Sequence, residues 1–199
     1  PGTSTINFTR GAAVANATTV RPGTGGQIQL FVPIGCTPVV VDVVGYHVAG
    51  SPVAEGGFGS VTPSRRYDSR PDPSGCLRAN QPRAIPIAGR SGVPSNASAV
   101  VLNVTVTRPS GPGHLTVYPA GTMTPTASNL NFSTGQTVAN AVTSRLGGGY
   151  ILVMTNVGCA HVVIDVMGYY SANSPLAEGG FDGLDPFRLL DTRQPGQTP

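Results

Sequence analysis

Short apolar runs recur along this chain, separated by Gly, Pro, Asn and Ser. Residues 99–106 alternate, with Leu102, Val104 and Val106 on one face and Asn103 and Thr105 on the other. That is the period of a strand with one buried face. Residues 129–132 alternate likewise, with Leu130 and Phe132 inward. Further strands are expected at 67–70, 84–88, 114–118, 137–144, 150–155 and 161–170. Pro86 marks the second of these as an edge or a bulge. No long stretch has a helical period. About eight short strands joined by tight turns imply an all-β fold, an antiparallel β-sandwich or barrel.

Two runs stand apart. Residues 39–46 read Val-Val-Val-Asp-Val-Val-Gly-Tyr, and 162–170 read Val-Val-Ile-Asp-Val-Met-Gly-Tyr-Tyr. In each, one carboxylate interrupts a β-branched run and a Gly-Tyr pair closes it. Cys36 precedes Asp42, and Cys159 precedes Asp165, by the same six residues. The likeness extends in both directions. Asn7 and the segment Val14-Ala-Asn-Ala17 match Asn131 and Val138-Ala-Asn-Ala141 at an offset of 124. Ser51-Pro-Val-Ala-Glu-Gly-Gly-Phe58 matches Ser174-Pro-Leu-Ala-Glu-Gly-Gly-Phe181 at an offset of 123. Arg65, Asp68 and Arg70 match Arg188, Asp191 and Arg193.

The chain therefore reads as β-domains in tandem with a period of about 123 residues, a domain array and not a short-period solenoid. The expected division is a C-terminal half-unit at 1–50, a linker at 51–56, a complete unit at 57–171, a linker at 172–179 and the start of a third unit at 180–199. A half-unit cannot bury its apolar face alone, so 1–50 needs strands from preceding chain or from a neighbouring subunit. The first residue is Pro1, which reads as a processed chain or a window of a longer one.

One set of segments carries a resemblance: Gly-Val-Pro at 92–94, Ala-Val-Val-Leu-Asn-Val-Thr at 99–105, Leu-Thr-Val-Tyr-Pro-Ala at 115–120, Ser-Asn-Leu-Asn-Phe at 128–132, Gly-Gln-Thr-Val at 135–138, Asp-Val-Met-Gly-Tyr-Tyr at 165–170 and Arg-Leu-Leu-Asp-Thr-Arg at 188–193. Together they resemble the Gly/Thr-rich tandem β-repeat of secreted and cell-surface proteins of actinobacteria and related soil bacteria. The resemblance spans essentially the whole chain, in phase with the internal repeat. It implies an extracellular location and carries no catalytic assignment. Residues 65–70, Arg-Arg-Tyr-Asp-Ser-Arg, depart from the Arg-Leu-Leu form.

Composition narrows the function. Charged residues are 11%, and the net charge is +3. All twelve basic residues are Arg, scattered singly, so the basic stripe of a nucleic-acid binder is missing. Without Lys there is no Lys–Asn isopeptide bond. No run is long enough for a membrane-spanning helix. Asn7, Asn16, Asn96, Asn103 and Asn131 head Asn-x-Ser/Thr triplets, which are common by chance in Thr-rich chains.

Three Cys leave one unpaired. Within the complete unit the pair is Cys76 and Cys159, and Cys36 is the counterpart of Cys159. The expected bridge is Cys76–Cys159, which points to an oxidising compartment. Three buried thiols and a Cys36–Cys76 bridge are the alternatives. With no Cys-x-x-Cys and no nearby His pair, neither metal nor cofactor is implied.

Asp165 lies among apolar neighbours on both faces, with Val163 and Met167 on its own side. A buried carboxylate needs a partner. Arg70 or Arg65 is expected to supply it, with Asp42, Asp191, Arg188 and Arg193 in equivalent places. The alternative is a sugar-binding or acid/base cluster of Asp68, Asp165 and an Arg, and an enzyme reading would need a cleft that holds Asp68, Asp165 and His114 together. No His recurs between copies, which leaves nucleophile–His chemistry without a repeated constellation. The Gly triplet at 147–149 is expected to be a hairpin turn. The leading expectation is a non-enzymatic structural module forming a stalk, fibre or filament, with neighbouring units or copies of itself as partners. The second is a carbohydrate-binding module in which Tyr118, Tyr169 and Tyr170 stack on glycans.

Overall fold

The computed structural model describes residues 4–11, 14–33, 35–43, 45–47, 53–172 and 180–186. Eight strands follow in order: β1 (Phe58–Asp68), β2 (Arg83–Pro86), β3 (Ala99–Thr107), β4 (Gly113–Pro119), β5 (Leu130–Phe132), β6 (Val138–Arg145), β7 (Tyr150–Thr155) and β8 (His161–Tyr170). They form two antiparallel four-stranded sheets, β1-β8-β3-β6 and β2-β7-β4-β5. The core joins Val100, Leu102, Val104, Val106, Val162, Ile164 and Val166 of the first sheet to Ile85, Leu115, Val117, Ile151 and Val153 of the second. Two sheets burying one face of each against a common core is the sandwich layering that the short alternating runs imply.

β1 is much longer than the strand expected at 67–70. Pro63 and register shifts between Ser60 and Ser64 and between Arg65 and Tyr67 break its alternation, which hides it in the sequence. β3 is buried along its whole length, so Asn103 and Thr105 are covered although they face away from the core. On β8 a register shift falls at Met167, beyond which Tyr169 packs against the core. Simple alternation therefore fails beyond Met167. The Gly triplet is a turn between sheets and not a hairpin: it joins β6 to β7, which belong to different sheets, through a Gly147–Tyr150 bridge.

The described residues of 4–47 do not repeat the strands of their counterparts in sequence. Among the described residues of this segment there is a short 3-10 turn at Thr24–Gly26 and no strand. Phe31, Val40, Val43 and Tyr46 are more than four-fifths exposed, at 82%, 86%, 86% and 88%. The sheet order gives the physical reason. β8 pairs with β1 and β3, β6 with β3, β7 with β2 and β4, and β5 with β4. Every pairing joins a strand of the first half (β1 to β4) to one of the second half (β5 to β8). If this segment is the second half of a unit, as proposed below, it has no ladder to form alone.

Candidate functional site

The outer face of the first sheet carries a polar rung in an apolar setting. Arg65 on β1 pairs in register with Asp165 on β8, Asp165 with Asn103 on β3, and Asn103 with Ala141 on β6. Asp165 is 1% exposed, and Arg65 Nε donates to its Oδ1 at 2.5 Å. Of the two arginines expected to reach it, Arg65 does. Arg70 instead donates its Nε and Nη2 to Asp68, at 2.8 and 2.5 Å, and its backbone N–H to Asp68 Oδ1 at 3.0 Å. Arg65 Nη1 also donates to Asp68 Oδ2, at 3.2 Å, so the two carboxylates share one guanidinium.

The charges respond in opposite directions. Burial pushes the Asp165 carboxyl above its usual range, and the Arg65 hydrogen bond opposes this without reversing it. Asp68 is held down, to about 2, first by its hydrogen bonds from the Arg70 side chain.

The rung is also where the N-terminal segment docks. Asn103 Nδ2 donates to the Ser4 carbonyl at 2.6 Å. Asn16 accepts at Oδ1 from the Ala141 N–H at 3.0 Å and donates from Nδ2 towards Asn103 Oδ1 at 3.4 Å. β6 is an edge strand, so Asn16 covers backbone that would otherwise face water. Sequence reasoning missed Asn16. The available signal was the recurrence of Val-Ala-Asn-Ala at 14–17 and 138–141.

At the base of the sandwich Cys76 and Cys159 form a disulfide, with Cα atoms 5.5 Å apart. Leu77 and Ala160 exchange backbone hydrogen bonds beside it, at 2.8 and 3.1 Å. Cys36 is a free, exposed thiol. Asp42, the counterpart of Asp165, is exposed, while Arg188, Asp191 and Arg193 lie outside the described residues.

Asp68 and Asp165 are brought together on Arg65, the grouping expected for a sugar-binding or acid/base cluster, but His114 does not join them. His114 lies on β4 of the second sheet, whereas Asp165 lies on the outer face of the first. The three tyrosines of the carbohydrate reading all have partners within the chain. Tyr118 is 1% exposed with its hydroxyl on Thr124, Tyr169 packs against the core, and Tyr170 stacks on Phe181. A groove of about 570 Å³ between residues 20–24 and 61–63 contains one charged group, Arg21. Among the described residues no group of His, Cys, Asp or Glu is placed to hold a metal ion, and no helix is long and apolar enough to cross a membrane.

Fold and site together define a disulfide-linked all-β protein of two antiparallel four-stranded sheets. Comparison with family models, with curated proteins and with solved structures finds no match to this chain.

Proposed function

We propose that this chain is a non-enzymatic structural module of an extracellular or cell-surface bacterial protein, in which β-sandwich units follow one another in tandem to build a stalk, fibre or filament. The observation that carries the reading is that equivalent residues make equivalent local contacts. Asn16 Nδ2 donates to the Thr5 carbonyl at 2.7 Å, and Asn140 Nδ2, at an offset of 124, donates to the Asn129 carbonyl at 2.7 Å. Ser4 Oγ lies 3.4 Å from Asn7 Oδ1, as Ser128 Oγ does from Asn131 Oδ1. Gly11, Gly25 and Gly26 have positive φ, as do Gly135, Gly148 and Gly149. Residues 4–26 thus keep the turns of a unit whose strands they do not form.

The chemistry of the unit suits a passive role. Its buried carboxylate is tied to a guanidinium, its Tyr170 ring stacks on Phe181, and a disulfide of the kind that persists outside the cytoplasm closes it. Electron microscopy of the parent protein from its native surface tests the reading. Regularly spaced densities of equal size, each matching one sandwich, are expected. A single isolated density per molecule contradicts it.

A further inference from the structure

We propose that rings at the ends of the first and last strands form a continuous aromatic spine joining successive units, with every unit attached to that spine by the same end. The inference rests on the tandem reading and specifies which surfaces of adjoining units meet. Phe58 and Tyr170 are register partners, so the chain enters β1 and leaves β8 at one end of the sandwich. Two glycines give the rings their seats. A Cβ on Gly168 would collide with Phe58 ring atoms, and one on Gly59 with the Tyr169 ring. The repeated Gly-Tyr and Gly-Gly-Phe segments therefore form the ring-bearing end of the unit.

The rings continue past the unit on both sides. His47 stacks on Phe58 with centroids 4.6 Å apart and planes at 28°. Tyr170 stacks on Phe181 at 4.2 Å and 22°. His47 and Tyr170 are counterparts at an offset of 123, and so are Phe58 and Phe181. The same junction contact is thus made twice. Phe58 and Tyr170 meet edge to face at 5.6 Å and link the two stacks, while His47 and Tyr170 are 6.3 Å apart.

Described backbone groups beside the rings are hydrogen-bonded to one another as well. Gly56 donates to the Ala172 carbonyl at 3.3 Å, Phe181 donates to the Gly56 carbonyl at 3.0 Å, and Ser171 donates to the Gly57 carbonyl at 3.1 Å. Counterpart rings 6.3 Å apart are far closer than the reach of a sandwich whose β1 has 11 residues, about 36 Å of extended strand. Units attached so closely cannot be related by translation along the spine alone. They must turn about it and project outward from it. The occupant of the outer face of Phe181 is the final-strand tyrosine of the following unit.

The test uses the full chain with Cys36→Ser, Tyr46→Cys and Asp182→Cys, spin-labelled at the two introduced thiols beside the outer rings. A narrow, short-distance population is expected, and Phe181→Ala, which lies outside both sheets, is expected to abolish it. A broad distribution reaching beyond about 30 Å, the span of ten extended linker residues, overturns the spine. So does a short distance that Phe181→Ala leaves unchanged. A short distance in a chain whose residues 1–50 fail to fold when given first-half strands would contradict the tandem reading alone. A long distance in a chain where they do fold would contradict the spine alone.

Discussion

Arg65 and Asp165 face each other across the β1–β8 ladder, with the guanidinium Nε on the carboxylate of a residue only 1% exposed. The pair ties the first strand of the unit to the last. Removing one partner of a buried pair leaves an uncompensated charge, at a cost of about 3 kcal/mol or more. Arg65→Ala should lower unfolding stability by that order in urea titration. Arg70→Ala, whose side chain is 42% exposed beside Asp68, should cost about 1 kcal/mol or less. Equal losses in the two variants would contradict the assignment of Arg65 as the partner.

The Cys76–Cys159 bridge spans 83 residues and constrains most of the unit. Closing a loop of that length contributes about 4 kcal/mol through the unfolded chain. Cys76→Ser should lower stability by that order, and reductant should do the same to the parent chain. Cys36→Ser should leave the melting midpoint unchanged, because that thiol is free and exposed.

Acid should act through Asp68. Its carboxyl titrates at about 2 in the folded chain, against about 3.9 for an unperturbed Asp. A depressed folded pKa contributes stability that is full above the unfolded value and is lost as pH falls through the folded one. Stability measured from pH 5 to 2 should therefore fall less in Asp68→Asn than in the parent. Asp165 acts in the opposite sense. Its raised pKa means that protonation relieves the cost of burying its charge, so acidification through its folded pKa partly offsets the Asp68 loss.

Asn16 predicts a local effect. Its Oδ1 accepts from the Ala141 N–H on the edge of the first sheet. Asn16→Ala should speed hydrogen exchange at Ala141 several-fold, the scale of one lost hydrogen bond. Exchange at Val104, in the central strand β3, should not change.

Much of the sandwich was legible because its inner faces alternate. β7 and β8 fall at Tyr150–Thr155 and His161–Tyr170 as the apolar pattern predicts, and Leu102, Val104 and Val106 are core. β1 was not legible, since Pro63 and its register shifts erase the period. The bulge at Met167 reverses the faces of β8, and no local pattern announces a bulge. Arg65 and Arg70 could not be separated in the sequence, where both flank Asp68 and both recur. Burial of Asn103 on the outer face depends on a segment about 90 residues away, beyond the reach of any local period. The pairing of β1 to β4 only with β5 to β8 is a property of the sheet order, which sequence periodicity does not contain.

The most direct measurement adds first-half strands to the segment proposed to be a half-unit. Residues 57–124, which carry β1 to β4, are placed ahead of residue 1 of the full chain, restoring the repeat register at Pro1. Hydrogen exchange at residues 39–43 and thiol labelling of Cys36 are then compared with the parent. The account predicts strong protection at 39–43 and a Cys36 consumed in a disulfide with the added counterpart of Cys76. Residues 39–43 still exchanging freely, with Cys36 still reactive, would contradict it.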